Sequence, residues 1–328
     1  MALLTISGSP HIQSKETTKS IMWNVVLALI PTLLVGIYYF GFRVLTVTLV
    51  SVAACLVFEW LIQKFILKGG QTISDGSAVI TGILLAFNLP SDIPFYIVII
   101  GAVVAIGIGK MTFGGLGKNP FNPALVGRVF LFLSFPTEVA KSEWVKPQPL
   151  FSNRLTDAFT GPTPLAEIAK GSSQELNVLD MFLGATGGSL GEVAAIAILA
   201  GGIYLLLKRI ITWHIPAAFL TSAFVFSGIL YLCGITVNPI YHLLAGGLML
   251  GAVFMATDMT TSPISKSGQL VFGAGCGLLT ILFRCFGSMP EGVSFAILIM
   301  NALTPLINKA FKPHKFGYKI SKTSRHHG

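Results

Sequence analysis

Apolar residues fill this chain in blocks of helical length, separated by short polar stretches that carry most of the charge. The blocks fall near residues 21 to 40, 45 to 66, 77 to 90, 94 to 112, 122 to 135, 190 to 207, 212 to 232, 237 to 257, 268 to 287 and 291 to 308. A helix needs about 20 residues to cross the roughly 30 Å hydrocarbon core. The pattern therefore predicts about ten crossings. Two blocks, 77 to 90 and 122 to 135, are too short at about 1.5 Å per residue to cross as straight helices, and both are rimmed by Gly, Pro and Asn. Such segments mark broken helices whose freed backbone groups line a site near the midplane. Five blocks precede a long polar connection and five follow it. The expected fold is an all-α polytopic membrane protein of two inverted five-helix halves.

Composition agrees with the pattern. Mean hydropathy is +0.77 and only 11% of residues are charged, against about 25% in soluble domains. The net charge of +9 does not point to nucleic acid, because the basic residues sit at the ends of apolar blocks rather than on one face. With the N-terminus placed in the cytoplasm, fifteen Lys and Arg fall inside and five, namely Arg43, Lys141, Lys146, Arg154 and Lys170, fall outside. That bias favours an even number of crossings and two cytoplasmic termini. The organisation is a cytoplasmic segment 1–20, a first membrane half 21–135, an outward-facing connection 136–189, a second half 190–308 and a basic tail 309–328. The first 20 residues lack the apolar core of a cleaved signal, so the first span is expected to be retained. His326, His327 and Gly328 read as an appended remnant.

Three segments, two arginines and four cysteines carry candidate chemistry. In Ser74 to Pro90, Asp75 and Ser77 suit a helix start, while Gly82 permits close approach and Asn88 is an amide that needs a partner inside lipid. The segment Lys110 to Phe132, with FGGLGKNPFNP at its centre, is too rich in Gly and Pro for regular helix. There Asn119 and Asn122 either satisfy freed backbone groups or read the polar edge of a planar heterocycle, since an amide both donates and accepts. Arg128 and Arg284 lie within apolar blocks and call for partners, with Asp258 and Glu291 as acids to meet them. The segment TGPT, Thr160 to Thr163, is an ordinary turn by composition. Cys55, Cys233, Cys276 and Cys285 show no cluster-binding spacing and read as structural thiols.

Jointly and in order, SGSPH, DGSAVITGILLAFNLP, FGGLGKNPFNPALVGR, TGPTPLAE, FMATDMTTSP and GSMPEGVSFAILIMN resemble the D-type membrane subunits of Rnf (Rsx) ion-translocating electron-transport complexes. These are similar in turn to the B-type subunits of sodium-translocating NADH:quinone oxidoreductases. The resemblance covers essentially the whole chain. It implies FMN joined through a phosphoester to Thr163, with Thr160 and Gly161 in the attachment motif and Pro162 standing where alanine is usual. It also implies a second, noncovalent flavin, riboflavin, held towards the cytoplasm with Asn119, Asn122 and Gly82. The implied partners are the other subunits of the complex, among them a second covalent-FMN subunit, iron-sulfur subunits and further membrane subunits. A flavin transferase would install the FMN, membrane lipid would surround the chain, and no nucleic acid is involved. The implied setting is the bacterial inner membrane with Thr163 on the outer face. Electrons from ferredoxin would cross the membrane to NAD, coupled to sodium or proton export, with no catalytic residue in this chain itself.

Two rivals remain at this level. A quinone-reducing B-type subunit shares the flavin sites, although its N-terminal extension is usually longer than the 20 residues here. A channel or secondary transporter shares the broken spans and predicts no flavin.

Overall fold

The computed structural model describes residues 17–68, 72–139, 144–145, 147, 160–169, 177–189, 191, 195–287 and 291–312. SGSPH, the basic tail beyond Lys312 and much of the polar connection, including Lys141, Arg154, Asp157 and Lys170, lie outside the described residues. In chain order the helices are α1 (Thr18–Phe40), α2 (Phe42–Leu61, continued as a π-turn Ile62–Leu67), α3 (Ser77–Phe87), α4 (Phe95–Gly107), α5 (Pro123–Ser134), α6 (Pro136–Val139), α7 (Pro164–Ala169), α8 (Val178–Leu183) and α9 (Ala195–Leu207). They continue with α10 (His214–Leu232), α11 (Pro239–Leu244), α12 (Leu248–Leu250, extended by a π-turn Gly251–Met255), α13 (Lys266–Phe286) and α14 (Val293–Ala310). Two short strands, β1 (Trp144–Val145) and β2 (Thr160–Gly161), pair antiparallel.

Among the described residues six helices are long and apolar enough to cross a membrane, by length and composition. Three more, α3, α5 and α9, are apolar but shorter. The chain is an all-helical, multi-pass membrane protein. Its exterior carries the matching signature, since Leu232 is 86% and Leu207 78% exposed. Apolar exposure extending over many such side chains marks a surface covered by lipid or by a partner.

Because lipid is as apolar as leucine, close backbone contact rather than hydrophobic exclusion must hold such helices together. The α10–α13 pair shows how. Gly273 and Gly277 lie one turn apart on α13, and a Cβ at either would stand 2.7 Å or less from the α10 carbonyls of Ile215 or Phe219. α2, α3, α4 and α5 form one packed group and α10, α11, α13 and α14 another. The groups meet through α5 against α14, while α1 pairs with α9.

The two short segments expected to be broken are short, continuous helices. At about 1.5 Å per residue, α3 and α5 each reach little more than halfway across a hydrocarbon core. The block at 237 to 257, read from sequence as one span, is interrupted: α11 stops at Leu244, Gly246 turns with φ +66°, and helix resumes at Leu248. Each break leaves carbonyls that must find donors in a medium without water. Arg128 of α5 donates to the backbone and side-chain oxygens of Asn88 at the end of α3. Arg284 of α13 donates to the carbonyls of His242 and Ala245 at the end of α11. The two intramembrane arginines thus perform the same task, one at each break.

Candidate functional site

A cavity lies inside the bundle at the end where α1 begins. Its apolar walls come from Ile21, Met22 and Val25 of α1, Ile80 and Leu84 of α3, Leu205 of α9, and Phe254. Its polar lining comes from Ser77, Lys110, Asn119, Asn122, Thr257, Asp258 and Thr260. A largely apolar chamber with a few convergent polar groups is the usual form of a small-molecule site.

Irregular backbone places the two asparagines. Asn122 opens α5, its Oδ1 accepting from the Ala124 N–H at 3.1 Å, with Pro123 in the first helical position. Its Nδ2 donates to the carbonyl of Met255 at 3.2 Å, which frees that carbonyl from any need for water. Asn119 donates through Nδ2 to the Phe121 carbonyl at 3.0 Å and to Thr260 Oγ1 at 3.2 Å. A carbonyl only accepts, so the contact with Phe121 fixes which end of the amide is nitrogen. The remaining end, Asn119 Oδ1, is buried without a partner among the described residues. An orphaned acceptor costs about 1–3 kcal/mol, and one lining a cavity is offset when an occupant donates to it.

Asp258 closes the same wall in the turn after the Gly251–Met255 segment. It accepts from the Thr260 N–H at 3.3 Å, from Thr260 Oγ1 at 3.0 Å and from Thr261 Oγ1 at 3.4 Å. Burial raises its pKa above the ordinary 3.8, and these hydrogen bonds oppose the rise. Lys110 lies opposite, 1% exposed, with Nζ 2.7 Å from Glu59 Oε2 and 2.6 Å from Ser77 Oγ.

Thr163 lies at the other end of the bundle, half-buried between Gly161 of β2 and α7. It borders a smaller hollow of about 260 Å³ lined by Pro164, Leu165, Thr186, Gly187 and the α11 break, Leu244 to Gly246. Its Oγ1 accepts from the Ala166 N–H at 3.1 Å. An ester oxygen would keep that acceptor role, so the bond does not oppose modification. Gly246 is required there on two counts: its φ is +66°, and a Cβ would stand 2.8 Å from an Arg284 guanidinium nitrogen. Behind it, a second hollow of about 270 Å³ is lined by Asn88, Arg128, Leu165, Met255, Arg284 and Glu291, so Leu165 borders both.

The structure thus brings Asn119 and Asn122 together in one cavity and sets Thr163 and Gly161 apart from them. Thr160 lies in β2, and its side chain is outside the described residues. Gly82 lies away from the cavity. Its ideal Cβ would fall 2.6 Å from Val52 Cα, so its part is the close contact of α2 with α3. Of the acids offered to the arginines, Glu291 pairs with Arg128, whereas Asp258 is engaged by its own turn. Asp75 accepts from the Ser77 N–H at 2.8 Å, as a helix-start residue should. Lys110 and Glu59 escape a reading of the sequence as site residues, because Lys110 reads as one more loop cation. The available signal was Glu59, a carboxylate alone in an apolar block. Cys55 and Cys276 are buried and Cys285 half-buried, whereas Cys233 is exposed.

Fold and site define a polytopic helical membrane protein with broken helices and a separate lined hollow at each end of the bundle. A profile of the NQR2, RnfD, RnfE family matches residues 5–317, and the chain belongs to that family. It is 43% identical over 326 residues to the D subunit of the Na(+)-translocating ferredoxin:NAD(+) oxidoreductase complex of Acetobacterium woodii, with 98% of each chain covered. It is equally 43% identical over 329 residues to the D subunit of the proton-translocating ferredoxin:NAD(+) oxidoreductase complex of Clostridium ljungdahlii, with 96% of each covered. The D subunit of the ion-translocating oxidoreductase complex of Stutzerimonas stutzeri is 38% identical, covering 92% of this chain and 93% of its own.

Proposed function

We infer that this chain is the D-type membrane component of an ion-translocating complex that carries electrons between ferredoxin and NAD. In this reading it holds one flavin at each end of its bundle. Supporting this are the near-complete coverage of relatives that bear those names and the two hollows. The observation that carries the flavin reading is the pairing of NPFNP with a large cavity at one end and TGPT with a small one at the other.

The residues present fit the group. Asn119, on the cavity wall, has a buried acceptor, Oδ1, without a partner among the described residues, and Asn122, Thr257 and Asp258 line the same wall. Thr163 would hold FMN by a phosphoester. A bound flavin supplies electron transfer in one- and two-electron steps. The chain itself positions the two groups, surrounds the larger cavity with mainly apolar walls, and separates the two ends by packed helix.

The topology belongs to the same proposal: ten crossings, both termini cytoplasmic and Thr163 on the outer face of the inner membrane. The six long helices, α3, α5 and α9, and the broken α11–α12 stretch make ten in alternating direction. α1–α5 and α9–α14 then form inverted halves, each with one arginine tied to its break. Iron-sulfur partners and a flavin transferase complete the proposal. Two relatives at the same 43% identity are named for different ions. Identity to these relatives therefore does not assign the coupling ion of this chain.

The test is in-gel fluorescence of the denatured chain, made in cells with the flavin transferase. Wild type should be bright and Thr163→Ala dark; a dark wild type or an equally bright variant overturns the covalent site. Acid treatment of the Thr163→Ala complex should still release a flavin.

A further inference from the structure

Beside the asparagines, a second polar array borders the large cavity. Lys110 and Glu59 are 1% and 0% exposed and paired at 2.7 Å. Glu59 Oε1 also accepts from Gln63 Nε2 at 3.2 Å and from Thr72 Oγ1 at 3.4 Å. Ser77 accepts from Lys110 and donates to Asp75 Oδ1 at 2.6 Å. The array joins α2, the start of α3 and the segment after α4. A buried ion pair is a poor device for stability, because desolvating two charges offsets most of their attraction and apolar residues would pack as well. Reaching water would have been easy for a lysine in this segment. Lys118, eight residues on, is exposed. Lys110 instead turns inward and, with Ser77, lines the cavity.

We propose that Lys110 is a positioning residue that offsets the negative charge gained by the occupant of the large cavity on reduction, with Glu59 acting in the opposite sense. This rests on the reading that the cavity holds a flavin. One electron added to a neutral ring without a proton leaves it with one negative charge. In a site walled by apolar residues that charge interacts strongly with a fixed cation nearby. The ammonium lies against a wall hydroxyl, while Glu59 lies behind it, so reduction is favoured by the first and opposed by the second. The pair as a whole is neutral in the oxidised state and costs the bundle no uncompensated charge.

The experiment is a spectroelectrochemical titration of the noncovalent flavin in the intact complex, with dithionite as electron source. A Thr163→Ala background removes the signal of this chain's covalent group. Lys110→Met should lower the midpoint potential, Glu59→Gln should raise it, and the double variant should return towards the parent. Shifts of the same sign in both variants, or no shift, overturn the assignment. If Lys110→Met does not assemble, Glu59→Gln decides, because a purely structural role predicts flavin loss there and not a raised potential. Releasable flavin with an unmoved potential would sink this inference alone. No releasable flavin at all would sink the cavity reading together with it.

Discussion

The two ends of this bundle are built on opposite principles. The cavity beside Asn119 and Asn122 has mainly apolar walls with a few convergent polar groups, whereas the hollow beside Thr163 is smaller and is framed by the α11 break. Burying ligand surface against apolar walls supplies binding free energy, and the larger cavity offers more of that surface than the smaller one. On the proposed reading that is why one flavin is held by packing and the other by a phosphoester. Electrostatics divide in the same way: a neutral Lys110–Glu59 pair borders the large cavity, while at the other end the arginines are committed to carbonyls and to Glu291.

The comparison breaks most visibly if the arginines are removed. Arg128→Met would leave the Asn88 carbonyl and the Glu291 carboxylate without their donor, and breaking a buried pair costs about 3–5 kcal/mol. We expect a large loss of thermal stability in detergent. Arg128→Lys should recover only part of it, since one ammonium cannot reproduce a forked donor. Unchanged unfolding in Arg128→Met would show that the break needs no such support.

Next in size is Gly82→Val, which drives a side chain into Val52 and the α2 backbone. Overpacking of this kind costs about 1–3 kcal/mol. Releasable flavin should fall only as far as folded protein does, and a selective loss of flavin would return Gly82 to the ligand. A finer cut compares Asn122→Ala with Asn119→Ala. Asn122 caps α5 and holds Met255, so its loss should cost about 1–2 kcal/mol of stability. Asn119 leaves its Oδ1 unused by the described residues, so Asn119→Ala should release flavin with less change in melting temperature.

The smallest effect concerns Asp258. Its folded pKa is raised by burial, so between about pH 4 and that raised value the native state binds more protons than the unfolded chain. Stability should therefore be greatest below the unfolded pKa and fall as pH rises through the folded one. Asp258→Asn should flatten this slope in pH-dependent melting, and an unaltered slope would assign it to other groups.

Much of this was legible beforehand, and the residues show why. Helix positions follow from block length, since α1, α2, α4, α10, α13 and α14 each announce themselves by uninterrupted hydropathy. The breaks at α3 and α5 follow from Pro, Gly and Asn, which cannot continue a helix in lipid without help. The break inside 237 to 257 was not legible, because Ala245, Gly246 and Gly247 lie in an apolar run that hydropathy does not distinguish from helix. Gly82 was legible as a close approach but not as an approach to a helix rather than to a ligand.

Taken alone, the sequence determined that the chain lives in lipid, roughly where most of its helices lie, and which polar residues must find partners there. Those follow from local properties: residue hydropathy, backbone chemistry and the absence of water as a competing donor. Only the tertiary structure decided which partners they find. Lys110 reads as a loop cation until α2 brings Glu59 to it, and Asn119 and Asn122 become one wall of a cavity only when α1, α3, α9 and the 254–260 segment close around them. Contacts between residues 51 or 133 positions apart depend on how helices pack, and no local pattern encodes that.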